Sequence, residues 1–234
     1  MAIIAKLYFE YDGDSRYGCF FREAATGRVL AEAVDGKSGA AIIRIEGREF
    51  SVCGTPEVVE KVPVNTVYPP TSPGKKTLGF SIMEHEKKIG CYYGQATTYE
   101  KNWIFKKNLV LTVYACFGES YTLYRIGFSG ENCHYYRLLD THMRTVAMLQ
   151  RHYSETEPAR ATIYVEEDRY LPLALIVCAG EMLAGVGCGP VSYGPDPSAG
   201  NYISIKEPEI KMMDRDFIRR VRALSAWKGE YPCE

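Results

Sequence analysis

Cys133 and His134, with His142 and His152 further on, form the densest group of cysteine and histidine in this chain of 234 residues. A nearby imidazole can draw the proton from a thiol and leave a nucleophilic thiolate. One reading is therefore a cysteine-dependent enzyme that uses Cys133 with His142 or His152. Two features weigh against it. Cys133 and His134 are adjacent in a strand-like stretch, which sends neighbours to opposite faces. His142 and His152 are ten residues apart, with no short chelating pair beside them. The group is read as ordinary strand and turn residues, with no catalytic residue and no metal site assigned.

Other suggestive motifs dissolve on their context. Gly185-Val186-Gly187-Cys188-Gly189 resembles a phosphate loop, but it follows an apolar run and leads into Pro190. A dinucleotide loop needs a strand before it and a helix after it, so these glycines read as a helix stop. Gly74-Lys75-Lys76-Thr77 lacks the upstream glycine of a nucleotide loop. Gly127-Phe128-Ser129-Gly130 lacks the spacing and the α/β setting of a hydrolase elbow. No cofactor is expected. Glu166, Glu167 and Asp168 stand before the apolar run, where a helix dipole favours negative charge, and are assigned to capping.

The candidate binding residues are Lys101, Trp103, Lys106 and Lys107, an aromatic segment rimmed by ammonium groups. On a surface loop they suit a membrane interface, with the ring at headgroup level and the lysines on phosphates. The competing reading is a strand that packs Trp103 and Phe105 inward.

The elements that must carry these residues are mostly short strands. Segments 3–10, 17–23, 28–34, 76–84, 89–97, 108–117, 121–128, 132–140, 145–153 and 159–167 alternate or are apolar, and 40–54 reads as a hairpin reversing at Glu46-Gly47. Residues 54–77 contain five prolines and read as a surface connection with an edge strand at VEKVPVN. Connections of two to five residues mark adjacent antiparallel strands. The period then changes. Leu171 to Gly180 carry no charge, and a helix over 169–185, capped by Asp168 with Pro172 in its first turn, is apolar all round. Such a helix belongs inside something. Residues 186–234 follow as a Gly/Pro-rich loop, a short strand at 201–206 and an amphipathic helix at 214–227. Phe217, Val221, Leu224 and Trp227 form the stripe by which that helix docks on the rest.

Bulk properties bound the function. The formal net charge is −1, so no global field draws nucleic acid or an anionic membrane, although a local patch can. The apolar run is too short to span a bilayer, which needs about 20 residues. The N-terminus lacks the features of a signal peptide. Eight single cysteines with no C-x-x-C are expected to be reduced thiols in a cytoplasmic protein.

The closing order of strand TVAMLQRHY, turn SETEP, strand ARATIYVEED and helix RYLPLALIVCAGEML resembles the tubby C-terminal-like superfamily, which includes tubby domains, LURP-one-related proteins and phospholipid scramblases. The resemblance covers roughly residues 1–185. It implies a closed antiparallel β-barrel of about twelve strands around a central hydrophobic helix, with residues 186–234 packed on the barrel. It also implies a non-enzymatic binding or scaffold module whose partner is an anionic phospholipid or a protein. Closure removes both exposed sheet edges and the exposure of the helix. The chain departs from the superfamily in continuing about 50 residues past the helix. It also lacks a cysteine-rich acylation segment and a terminal anchor. A third reading is an assembly protein whose C-terminal segment binds a partner.

Overall fold

A computed structural model describes residues 1–11, 17–35, 40–71, 74–101, 106–127, 133–152, 160–183, 212–227 and 229. The strands are β1 (Ile3–Tyr11), β2 (Tyr17–Glu23), β3 (Val29–Asp35), β4 (Ala40–Ile45), β5 (Arg48–Cys53), β6 (Glu57–Glu60) and β7 (Lys76–Glu84). They continue as β8 (Lys87–Lys101), β9 (Lys106–Cys116), β10 (Glu119–Gly127), β11 (Cys133–Leu139), β12 (Thr145–His152) and β13 (Arg160–Val165). Two helices follow, α1 (Leu171–Leu183) and α2 (Arg215–Leu224).

Twelve of these strands close into one antiparallel barrel. Each pairs with its sequence neighbour, β1 pairs with β13, and β5 pairs with β7 to complete the ring. β6 lies outside the count. It continues β5 along the same edge of β7, opposite Lys76 to Gly79. The edge strand expected at VEKVPVN is thus displaced to Glu57–Glu60, because residues 61–71 run instead as a strap over the outer surface. Tyr93 and Tyr124 hold the strap by accepting from the Val62 and Val67 amides at 3.0 and 3.1 Å.

The barrel's two ends differ, and the turns explain how. At one end the hairpins are tight. Glu46-Gly47 and Phe117-Gly118 each place two successive residues at positive φ (50° and 79°, 56° and 79°), the twist that matches paired strands. The turn at Asp140 is fastened by its own carboxylate, which accepts from the His142 and Arg144 amides, both at 2.9 Å. At the other end the connections are longer, and 12–16, 36–39, 102–105, 128–132 and 153–159 lie outside the described residues.

α1 enters at the tight-turn end and runs through the lumen. Leu173 to Ala179 are all buried. The helix packs on β3, β4, β5, β12 and β13. Inward positions on that wall mix five alanines, Ala31 and Ala33 on β3, Ala41 on β4, Ala147 on β12 and Ala161 on β13, with larger residues such as Ile43, Val52 and Ile163. The opposite wall carries Tyr92, Tyr114, Tyr121 and Tyr136. The helix sits off-axis, nearer the wall that holds the alanines. At Gly90 on β8, a Cβ would lie 2.2 Å from the Ala115 carbonyl, so a side chain there cannot coexist with this pairing.

The helix start differs from the capped entry expected. Asp168–Tyr170 form a single 3-10 turn, and Glu167 makes no side-chain cap bond. Glu166 and Glu167 serve as ion-pair partners instead, of Arg220 at 3.2 Å and Arg169 at 2.8 Å.

α2 docks on the outside, against β1, β12 and β13. Phe217, Ile218 and Val221 are buried there with Ile4, Met148 and Tyr164. Leu224, expected in the stripe, is 62% exposed, and Trp227 lies under the Lys6 ammonium, 4.1 Å from its ring centre. The short strand expected at 201–206 lies outside the described residues.

Asp214 anchors α2. Its carboxylate accepts from the Phe217 amide at 2.9 Å and the Thr145 hydroxyl at 2.6 Å, and pairs with Arg137 at 3.2 Å. Burial pushes this carboxyl up, but the Thr145 hydroxyl, the Phe217 amide and Arg137 outweigh it and hold it below its ordinary value. A depressed carboxyl pKa stabilises the fold above its unfolded value, and that support is lost as pH falls through the folded value. Asp214→Ala is expected to cost at least about 1–2 kcal/mol, the worth of a cap. Urea unfolding at pH 7 measures the loss, and the difference from the parent chain should shrink as pH falls below the ordinary carboxylate range.

Candidate functional site: the loop-end mouth of the barrel

Strand direction sorts the sequence candidates between the two ends. Lys101 ends β8, Lys106 and Lys107 begin β9, Cys133 begins β11 and His152 ends β12, all at the long-loop end. His142 lies in the turn between β11 and β12 at the opposite end. The length of β11, roughly 20 Å at about 3.3 Å per residue, separates it from Cys133. Pairing Cys133 with His142 is thereby excluded. His152 is the register partner of Cys133 across β11 and β12. Trp103 lies outside the described residues.

The lysines terminate the longest hairpin. β8 pairs with β7 only as far as Tyr92, and β9 with β10 only from Thr112 onward. Beyond those points the two strands pair with each other out to Lys101 opposite Lys106, with Glu100 opposite Lys107. The strap holds this extension: Pro70 bridges to Thr97, the Thr71 amide donates to the Ala96 carbonyl at 2.9 Å, and the Thr98 amide donates to the Pro69 carbonyl at 2.9 Å. The extension is an arm roughly 25 Å long at about 3.3 Å per residue. Its outer face is covered: Tyr93, Gln95, Thr97, Leu111 and Val113 are buried. On its inner face Gly94 and Val110 are exposed.

Beneath the arm lies a buried polar cluster that sequence reading missed. Glu181, near the end of α1, has a side chain only 1% exposed and receives Arg125 at 2.6 Å. Tyr114 donates its hydroxyl to the other carboxylate oxygen at 3.3 Å. Burial raises the Glu181 pKa, opposed by Arg125, Tyr114 and Arg151. His134 is also buried here, and desolvation, then Arg151 and Arg125, push it down to about 4, so it is neutral at pH 7. The signal was present in the register. Tyr121, Leu123 and Arg125 share one face of β10, as Ala147, Leu149 and Arg151 share one face of β12. Both core-facing faces end in a charge at the same end of the barrel. Positive groups at a helix C-terminus are favoured by its dipole.

A cavity of 440 Å³ opens beside this cluster, bounded by β7, β8, β9 and β10. Two further clefts lie at the tight-turn end, 340 Å³ beside Arg137, Arg144 and Arg220, and 280 Å³ beside Arg48 and Arg169. Their cations are each matched by an acid. Arg144 meets Asp140 at 2.6 Å, Arg48 meets Glu84 at 2.6 Å, and the partners of the other three are given above. These clefts present little unbalanced charge to a ligand.

Three of the described cysteines, Cys91, Cys116 and Cys178, are held in the thiol form by burial. Burial raises the Cys91 thiol, pushes Cys116 up to about 12 and raises Cys178 further. Among the described residues no three His, Cys, Asp or Glu side chains converge on a metal position. No helix among them is long and apolar enough to cross a membrane. No protein-family model matches the chain, and neither does any curated protein or solved structure.

Proposed function

We propose that this chain is a non-enzymatic binding module of tubby-like type, and that it docks on anionic phospholipid through the tip of the β8–β9 arm. The observation that carries this reading is the overhang. Two strands continue past their neighbours and end in Lys101 opposite Lys106. Lys101, Lys106 and Lys107 thus fall together at the end of the hairpin, and lysines gathered near an anionic surface are attracted to it. Trp103 lies between them in sequence, in the four-residue connection. The family likeness is supported by a barrel with neighbouring strands in sequence order and an apolar helix in its lumen. A non-enzymatic role is supported by the raised pKa of the Cys91, Cys116 and Cys178 thiols.

Co-sedimentation with vesicles of phosphatidylserine and phosphatidylcholine tests the docking. Each lysine near an anionic surface contributes about 1 kcal/mol, so Lys106→Glu/Lys107→Glu is expected to weaken binding by at least about 30-fold. Binding should also fall as salt rises. Equal pelleting of parent and variant at low salt rejects the arm as the docking element.

The register of Cys133 with His152 favours a second reading, a thiol nucleophile with that histidine as base. Iodoacetamide labelling across pH tests it. A Cys133 that reacts well below pH 8 supports the reading, and one with an ordinary or raised pKa removes it.

A further inference from the structure

β8 and β9 carry the lysines at the arm tip and also line the 440 Å³ cavity below it. The size of that cavity falls within the range of small-molecule sites, about 300–1,000 Å³. Phe80, Tyr92 and Leu123 form an apolar floor. Phe80 stacks on Tyr92 at 5.2 Å, and Tyr92 stacks in turn on Tyr114 at 5.1 Å, so much of the floor is flat aromatic surface. Polar groups in the lining have partners of their own. Tyr93 accepts from the Val62 amide at 3.0 Å, and Arg125 is bound to Glu181 at 2.6 Å. The space therefore suits an apolar occupant.

Three large aliphatic side chains stand exposed at the entrance. Leu78 and Val110 are 67% and 64% exposed, and Val58, the register partner of Leu78 across β6 and β7, is as open. Single exposed aliphatics are ordinary, but several gathered around one opening mark an interaction site.

Gly94 on β8 keeps the space open between them. A Cβ there would meet only Val110, at 3.7 Å, an ordinary contact. Neither backbone strain nor close strand approach requires glycine at this position. A strand glycine of this kind suits a place where a ligand approaches the backbone.

The distances match a lipid. Val110 lies four residues along β9 from Lys106, roughly 13 Å at about 3.3 Å per residue. An extended acyl chain crosses half of a hydrocarbon core about 30 Å thick, and so covers that distance. We propose that the cavity receives one acyl chain of the phospholipid whose headgroup sits at the arm tip. The chain passes between Leu78 and Val110 onto Phe80, Tyr92 and Leu123. This rests on the docking reading above and adds that one chain leaves the bilayer.

Vesicles of phosphatidylcholine and phosphatidylserine, the latter with a diazirine at the end of one acyl chain, test this on the full chain. After irradiation and pelleting, peptide mass spectrometry locates the adducts. They should concentrate on residues 78–80, 92–94, 110–112 and 123. Gly94→Trp fills the cavity and should lower the adduct yield per pelleted chain at least five-fold. Leu78→Gln/Val110→Gln, at exposed positions that do not threaten folding, should do the same. Lys106→Glu/Lys107→Glu should lose pelleting and adducts together. Pelleting with adducts confined to the arm tip, or an unchanged yield from a folded Leu78→Gln/Val110→Gln chain, overturns the acyl site and leaves the docking intact. Failure of the parent chain to pellet at low salt overturns both.

Discussion

Arg125→Met is expected to lower the stability of the chain by about 3–5 kcal/mol at pH 7, the usual loss when one partner of a buried ion pair is removed. The reason is the asymmetry of the pair. Glu181 is sealed from water, whereas Arg125 is partly exposed and loses less if left alone. Removing the arginine strands the carboxylate in the lumen with Tyr114 and the more remote Arg151. The loss should depend on pH, with a definite sign. Burial already holds the Glu181 pKa above its ordinary value against the pull of Arg125, and without Arg125 it moves further up. A carboxyl whose folded pKa exceeds its unfolded value binds more protons when folded, so stability rises as pH falls through that window. The deficit of Arg125→Met should therefore shrink between pH 7 and pH 5. Arg125→Met/Glu181→Leu removes both charges and should recover most of the deficit. Urea unfolding of the four chains of this cycle at both pH values makes the measurement. An equal deficit at the two pH values, or a double variant no better than the single one, would show that Glu181 is not the group left stranded.

What could be read from the residues follows from where periodicity survives. The run from Leu171 to Gly180 has no polar face, and only an interior accommodates that, so the barrel around it was legible once about a dozen strand patterns preceded it. The arm was not. Its outer half, GQATTYEK, packs one face beneath the strap and leaves the other open, so small and polar residues occupy both and no apolar alternation appears. The edge strand was misplaced for a related reason: EVVE is too short to show a period, and its bounds come from pairing with β7. Leu224 continues a helical stripe in sequence, yet the buried side runs from Phe217 and Val221 to Ser225 and leaves Leu224 turned to solvent. The buried charges were visible only as single residues on core-facing positions. Arg125, Arg151 and His134 look like ordinary solvated side chains until the register shows that they converge on the end of α1. One consequence concerns function. The tight-turn end is held by matched ion pairs, and the long-loop end gathers the arm, the cavity and the buried cluster around Glu181. Loops on a rigid scaffold are where binding residues concentrate, and here these features share the end that carries the longer connections.

Ile176→Asp should abolish folding. Ile176 has no exposure and lies mid-way along α1 among barrel side chains. The substitution forfeits the burial of an isoleucine, about 1.5–3 kcal/mol, and places a carboxylate in dry surroundings at a further several kcal/mol. Together these approach the whole stability of an ordinary domain, about 5–15 kcal/mol. The helix cannot slide to free the charge, because buried side chains of the wall, among them Ile43, Val52 and Ile163, surround it. Ile176→Val, which removes one methylene, should cost only about 0.5–1.5 kcal/mol. Val58→Asp on β6, at a position 66% exposed, should change stability by no more than about 0.5 kcal/mol. Circular dichroism and thermal melting of the three variants separate these expectations. The comparison isolates the helix as the element that holds the ring closed, since backbone pairing in the wall is the same in all three. If Ile176→Asp melted cooperatively at the parent temperature, the wall would be self-supporting, and the apolar run in α1 would serve something other than filling it.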